Sequence, residues 1–317
     1  MRKEMKKVLV TGAAGFIGSQ LMNRLRAQHY DVLGIDNFNN HLYDPKLKRD
    51  RIKHFDLEDK VMIVDMRGNF KWVLEEFKPD IIVHLAAMAG VRDSLGKEKM
   101  YHANNIDATQ NLIDNCKEVV PDVKIVYAST SCVYAGSELP WTEGNESGKQ
   151  MNAYGYSKWA NECQFQSSGL HTIGLRFFTV YGPWGRPDMA LFDFTKNIEA
   201  GNEITVYNYG DMKRDFTYVE DILDGIDIVL DNKDIESGEI FNIGRGEQVQ
   251  LMDFIDEIEA NVGKKAIRNL APKHPADTKE TWSNTAKLQK LGYSPKVSIK
   301  QGVKQFYQWY KKYNSGK

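Results

Sequence analysis

The run Val8-Leu9-Val10-Thr11-Gly12-Ala13-Ala14-Gly15-Phe16-Ile17-Gly18 restricts the fold more than any other stretch of the chain. Three strand-favouring residues lead into glycines at every third position, and these lead into the periodicity of a helix over about Phe16–Ala27. A strand, a tight turn and a helix joined this closely open a βαβ unit. The glycines permit close backbone approach, and the helix start offers free N–H groups to phosphate oxygens. A Gly-x-x-Gly-x-x-Gly spacing among 25 glycines is weak by itself. Between a strand and a helix it points to a pyrophosphate site, the alternative being tight turns in an unliganded α/β protein.

The alternation continues through the first half. Strand signals recur at Val32–Ile35, Met62–Val64, Ile81–His84, Lys124–Tyr127 and Ile173–Phe177, with helices near Trp72–Phe77 and Ala103–Lys117 and another starting near Tyr154. Six or more strands in this order predict an α/β, doubly wound parallel sheet, the Rossmann arrangement. After Gly182-Pro183-Trp184-Gly185-Arg186-Pro187 the rhythm breaks into shorter pieces: a helix at Val219–Leu230, a strand at Ile240–Ile243, and helices near Met252–Ala260 and Ile299–Lys311. The expected division is an NAD-binding domain over residues 1–180, joined by the strand at 240–244, and a smaller, mainly substrate-binding α/β domain over 181–317. The tail Lys311 to Lys317 is expected to fray.

Bulk composition excludes several classes. A net charge of -1 in 317 residues gives no global field toward nucleic acid or an anionic membrane. An anionic substrate must therefore meet local arginines. Cys116, Cys132 and Cys163 form no disulfide or zinc pattern, which favours a reduced, cytoplasmic setting. Seven histidines lie singly, so no metal is expected. The basic start, Met1 to Lys7, precedes an apolar run far too short for a signal peptide, and no apolar run reaches membrane-spanning length.

The cofactor expected in the glycine turn is NAD. Gly12, Gly15 and Gly18, with Phe16 and Ile17 at the helix start, cradle the pyrophosphate, and Asp36 ends the next strand where a carboxylate holds the adenine-ribose hydroxyls. Asp36 repels a ribose phosphate, and its neighbours Asn37 and Phe38 bring no arginine to welcome one, so NADP is disfavoured. Asp65, with Met66 after it, either receives the adenine amino group or caps a turn. In His84-Leu85-Ala86-Ala87 the alanines either let the cofactor pass or space the packing.

Tyr154-Gly-Tyr-Ser-Lys158 supplies the chemistry. A tyrosine has a pKa near ~10, so acting as a base near neutrality requires it to fall by about 3, worth about 4 kcal/mol, and a lysine one helical turn away provides part of that. The spacing alone carries little, because Tyr307-Gln-Trp-Tyr-Lys311 repeats it in an aromatic helix that reads as packing. Position distinguishes Tyr154: it follows the cluster Ser129-Thr130-Ser131 at the carboxyl end of a strand, where open α/β sheets place ligands. Tyr154 is expected to take a proton from a sugar hydroxyl, Lys158 to lower its pKa and hold the cofactor ribose, and Thr130 to hydrogen-bond the same oxygen or to cap a turn. Tyr156 and Ser157 read as packing and helix-start residues.

These segments, with Arg214-Asp-Phe-Thr-Tyr218, agree in order and spacing with one family. The chain from Val8 to roughly Tyr307 resembles the extended short-chain dehydrogenase/reductases that act on nucleotide sugars (NAD-dependent epimerase/dehydratase). Within it the run from Arg176 to Met189 looks most like UDP-glucuronate 4-epimerases. The resemblance places Ser129, Ser131, Thr179 and Arg186 near the sugar, Arg186 pairing with its carboxylate, clamping the diphosphate or forming a loop salt bridge. It makes Arg214 a diphosphate contact and Asp277 a uridine-ribose contact, and it includes Arg92 without fixing its contact. Relatives commonly form homodimers through two helices that here fall near Ala103–Lys117 and Tyr154–Ser168, whose apolar content serves a core equally well.

The residues beside Thr130 bear on the reaction. Family members that dehydrate the sugar carry Asp-Glu there, and those that decarboxylate UDP-glucuronate carry a glutamate where this chain has Cys132. Elimination of water needs an acid and a base, which Ser131 and Cys132 do not readily supply. The expected reaction is 4-epimerisation between UDP-glucuronate and UDP-galacturonate through a 4-keto sugar. Because that intermediate is a β-keto acid, the site must hold its carboxylate in the ring plane. The same machinery would serve a neutral UDP-sugar such as UDP-glucose or UDP-N-acetylglucosamine; a nucleotide sensor without chemistry would be expected to lack Tyr154 or Lys158.

Overall fold

The computed structural model describes residues 5–315. The expectations for Met1 to Glu4 and for Gly316 and Lys317 fall outside the described residues. In chain order the strands are β1 (Lys7–Thr11), β2 (Asp31–Asp36), β3 (Val61–Ile63), β4 (Ile81–His84), β5 (Lys124–Thr130), β6 (His171–Phe177), β7 (Thr179–Tyr181), β8 (Glu203–Tyr207), β9 (Lys213–Arg214), β10 (Phe216–Tyr218), β11 (Ile240–Ile243), β12 (Val249–Gln250) and β13 (Ile267–Ala271). The helices are α1 (Phe16–Ala27), α2 (Lys46–His54), α3 (Lys71–Phe77), α4 (Glu98–Tyr101), α5 (Ala108–Val119), α6 (Ala153–Ser167), α7 (Ala190–Ala200), α8 (Val219–Asp231), α9 (Leu251–Val262), α10 (Ala286–Gln289) and α11 (Ile299–Ser315).

Among the described residues a seven-stranded sheet runs β11-β6-β5-β4-β1-β2-β3. Val10 of β1 pairs in parallel with Gly34 on one side and Val83 on the other. The strand order reverses between β1 and β4, the switch point outside which Rossmann-type sheets hold their ligands. Val8, Leu9 and Val10 are wholly buried, as strands covered by helices on both faces require. Beneath β5, Tyr127 stacks on Phe165 of α6 at 4.2 Å within a cluster that includes Leu112, Ile113 and Cys116 of α5. Burial of each such side chain contributes about 1.5–3 kcal/mol, which docks α5 and α6 against the strand that carries Thr130.

The chain divides into two compact units, one of Met1–Val133, Gln150–Arg176 and Val229–Phe241, the other of Tyr134–Lys149, Phe177–Ile228 and Asn242–Lys317. The second unit is built on short pairings, parallel for β7 with β10 and for β8 with β13, antiparallel for β9 with β12. Its aromatic cluster joins Phe192 of α7 to Phe306, Trp309 and Tyr310 of α11. Helix α11 runs on to Ser315 instead of fraying at Lys311, because Tyr313 stacks on Trp309 at 5.3 Å. Lys311 itself lies over the Tyr307 ring, in keeping with the packing role read for that second Tyr-x-x-x-Lys.

Candidate active site

The glycine turn closes against the backbone that follows β4. Gly12 has φ 70°, and a Cβ there would stand 2.8 Å from the Ala86 nitrogen. At Gly18 a Cβ would collide with the Gly12 carbonyl oxygen, so the first turn of α1 packs directly on the loop. No side chain caps α1 and its first turn carries no acid. A diphosphate fits such a helix start: the orphan N–H groups and the positive end of the helix dipole remain available to it.

Asp36 ends β2, 7% exposed, and accepts the Ala14 N–H at 3.2 Å and the Phe38 N–H at 2.7 Å. The fold adds a partner that linear spacing did not reveal: Lys48 of α2 reaches Asp36 at 3.2 Å. Asn37 donates to Asp65 at 3.4 Å, and Arg67 grips the same carboxylate at 2.6 Å. The Arg67 guanidinium is the main reason that Asp65 falls to a pKa of about 2. Met66 is buried next to it, and Leu85, Ala86 and Ala87 follow β4 with rising exposure. Buried His84 bonds Thr11 at 2.8 Å and Thr109 at 3.2 Å, and burial first, then the Lys158 charge, press its pKa down to about 3. It is a neutral strut in the core.

Helix α6 begins at Asn152, whose Oδ1 accepts the Gly155 N–H at 2.8 Å. Tyr154 therefore stands in the first turn, its ring edge-on to Tyr101 at 6.5 Å. Lys158, four residues on and on the same face, is 2% exposed. Burial pushes its pKa down to about 8, with the Glu162 carboxylate acting in the opposite sense. Thr130, 6% exposed, ends β5 and accepts the Cys132 N–H at 3.3 Å. Buried Ser131 starts a short 3-10 turn after it, while Ser129 turns its hydroxyl onto Glu162. The built position of a Gly155 Cβ lies 3.3 Å from the Cys132 Cβ, so the hydroxyl cluster and the Tyr154 turn abut.

Sequence reasoning passed over Asn105. It sits in a π-helical stretch, His102–Asp107, whose extra residue per turn rotates it into the core. Asn105 bonds both the N–H and the carbonyl of Met88, at 2.7 and 3.0 Å, and donates to Ser157 at 2.8 Å. It thereby ties the segment after β4 to the Tyr154–Lys158 turn. The signal was an asparagine pair, Asn104-Asn105, inside a helical pattern, where a short polar amide calls for a specific partner. Arg176 was also legible in principle, since a charge amid the buried Ile173–Phe177 demands a partner.

The remaining candidates are placed as follows. Arg92 is exposed in the turn after Gly90. In the second unit, Thr179 opens β7 and donates its N–H to the Asp215 carbonyl at 3.1 Å. Arg186 pairs with Asp188 through two bonds, Nε at 3.1 Å and Nη2 at 2.5 Å, the loop salt bridge anticipated as its alternative role. Arg214 donates to the carbonyl oxygens of Lys213, Lys279 and Thr278 at 2.8 to 2.9 Å, which fixes its guanidinium beside the loop that carries Asp277. Asp277 is 7% exposed. Asp215, next to Arg214, accepts from the backbone of Arg245, Gly246 and Ser283 at 2.8 to 3.0 Å and anchors this region.

Residues 8–244 match the model of the NAD dependent epimerase/dehydratase family. The chain belongs to that family. Over 319 residues, this family member is 42% identical to an uncharacterised protein of Methanocaldococcus jannaschii, with 96% of each chain covered. It is 38% identical to UDP-glucuronate 4-epimerase 4 of Arabidopsis thaliana, covering 98% of this chain and 76% of that one. The crystal structure of UDP-glucuronic acid 4-epimerase from Bacillus cereus, in complex with UDP-glucuronic acid and NAD, superposes with a TM-score of 0.89 at 35% identity, over 97% of this chain and 99% of that one.

Proposed function

We propose that this protein interconverts UDP-glucuronate and UDP-galacturonate by 4-epimerisation, with NAD held at the glycine turn. The observation that carries the reading is the pairing of Tyr154 and the buried Lys158 on one face of α6, whose first turn packs on the turn that follows Thr130, in a chain alike over 97% of its length to a structure holding UDP-glucuronic acid and NAD. The first unit is the NAD-binding part and the second mainly substrate-binding. The α1 start with Gly12, Gly15, Phe16, Ile17 and Gly18 takes the pyrophosphate, Asp36 and Asn37 the adenine ribose, Asp65 and Met66 the adenine, and Leu85 to Ala87 line the cofactor's path. NAD, when bound, accepts the hydride from carbon 4 of the sugar and returns it to the opposite face.

Tyr154, as phenolate, removes the proton of the 4-hydroxyl, and Thr130 hydrogen-bonds that oxygen so that it is aligned for the transfer. Lys158 favours the phenolate through its charge and holds the cofactor ribose. Ser131 and Arg92 in the first unit, and Thr179, Arg186, Arg214 and Asp277 in the second, are assigned to substrate, whereas Ser129, expected there as well, gives its hydroxyl to Glu162 and supports the strand end behind them. Arg186 leaves Asp188 to meet the sugar carboxylate. Without an acid at Ser131 or Cys132 the 4-keto sugar is returned, not dehydrated.

Three free cysteines support a cytoplasmic enzyme, and no helix among the described residues is long and apolar enough to cross a membrane. We propose a homodimer through α5 and α6, whose exposed Tyr156 suits a covered face. Incubation with UDP-glucuronate, UDP-glucose and UDP-N-acetylglucosamine in parallel, with products resolved by NMR, tests the assignment. UDP-galacturonate is expected from the first; turnover of a neutral sugar alone would overturn it.

A further inference from the structure

A buried ion pair stands behind the reacting groups and has no part in the chemistry described above. Glu162 of α6 and Arg176 of β6 are 2% and 3% exposed. Arg176 donates through Nε at 2.9 Å and through Nη2 at 2.7 Å, one bond to each carboxylate oxygen. Ser129, immediately before Thr130, donates to the same carboxylate. Tyr154, Lys158 and Glu162 follow one another at four-residue spacing, so they line a single face of α6. The pair thus joins the strand of Thr130, the helix of the base and its lysine, and the next strand of the sheet.

Stability alone is a poor reason for such a pair. Each buried ion forfeits several kcal/mol of hydration, and apolar side chains of matched volume usually serve as well or better. We infer that the Glu162–Arg176 pair is a positioning device for the reaction: Glu162 provides the negative charge that keeps buried Lys158 an ammonium, Arg176 holds that carboxylate in place, and Ser129 ties it to the strand end bearing Thr130. The inference rests on the reading in which Lys158 favours the Tyr154 phenolate.

Among the described residues, Glu162 is the group that favours the Lys158 charge. His84 of β4 is neutral at physiological pH, and the Lys158 cation helps to keep it so. Burial raises Tyr127 of β5 far above the range in which a phenol ionises near neutrality. The π-helical stretch presents the uncharged Asn105, and α4 sets Tyr101 against Tyr154. Burial acts against the ammonium and Glu162 acts for it.

The test is a heteronuclear NMR titration of the Lys158 side chain in NAD-bound protein with labelled lysine, the signal being assigned by its absence from Lys158→Met. Glu162→Gln removes the carboxylate that favours the ammonium and leaves the Arg176 cation without its partner, so the lysine pKa should fall by about one unit or more, and the alkaline limb of kcat should move down with it. The double variant Glu162→Gln with Arg176→Met, which has neither charge, should fall less. It also carries the test if the single variant does not fold, since no unpaired ion is then buried. An unchanged Lys158 titration, or a kcat lowered equally at every pH, would overturn the proposal. The NMR titration needs no turnover, so a wild type that proves inactive on UDP-glucuronate would sink the functional reading and leave this inference to be judged separately.

Discussion

At the residue scale, Lys158 shows how the site trades stability for chemistry. Its pKa in the fold is about 8 against an ordinary 10.5, so the unfolded chain binds this proton more tightly. The cost is fully present below about pH 8 and disappears as pH rises from there toward 10.5; stability from this group should increase across that window. The difference is worth roughly 3 kcal/mol at about 1.4 kcal/mol per pH unit. Lys158→Met should therefore abolish epimerisation while raising the melting temperature of NAD-free protein at pH 7 by about 5 °C, as read by calorimetry. A lower melting temperature would mean that the ammonium is better paired than its surroundings imply. The sequence disclosed Tyr154 and Lys158 through position, but not Lys48 on Asp36, Asn105 on Met88 or Arg176 on Glu162. Those pairings span 12, 17 and 14 residues and exist only once the sheet is assembled.

At the scale of elements, regular periodicity was readable and irregularity was not. Helix α1 and strands β1, β4 and β5 fall within a few residues of their expected bounds, because apolar patterning and glycines mark them. Helix α2 was missed, since only Leu47 and Ile52 of its nine residues are apolar. The π-helical stretch leaves no mark in an apolar pattern, because one added residue merely shifts the face. At the start of α6 the Asn152 side chain caps the helix by accepting the Gly155 N–H. Asn152→Ala should cost about 1 kcal/mol of stability and, because Tyr154 lies in that same turn, lower kcat by more than it alters KM. Steady-state kinetics beside thermal melting measure both, and a kcat equal to wild type would detach the cap from the chemistry.

On the scale of the whole molecule, the order of the sheet was implicit in the strand–helix rhythm, whereas the division into compact units was not. Residues 134–149 belong with the second unit and 229–241 with the first, an exchange that the strand–helix rhythm does not announce. If NAD binds the folded protein alone, its removal should lower the melting temperature, the stabilisation being about 2.7 kcal/mol when free NAD stands at 100 times its Kd; calorimetry of stripped and reloaded protein reads this. The central claim is that one hydride leaves carbon 4 and returns to the same carbon. Supplying UDP-glucuronate deuterated at carbon 4 and following UDP-galacturonate by NMR tests it most directly. The account predicts product that keeps its deuterium at carbon 4 in ordinary water and no product with Tyr154→Phe; UDP-galacturonate formed with hydrogen at that carbon would contradict it.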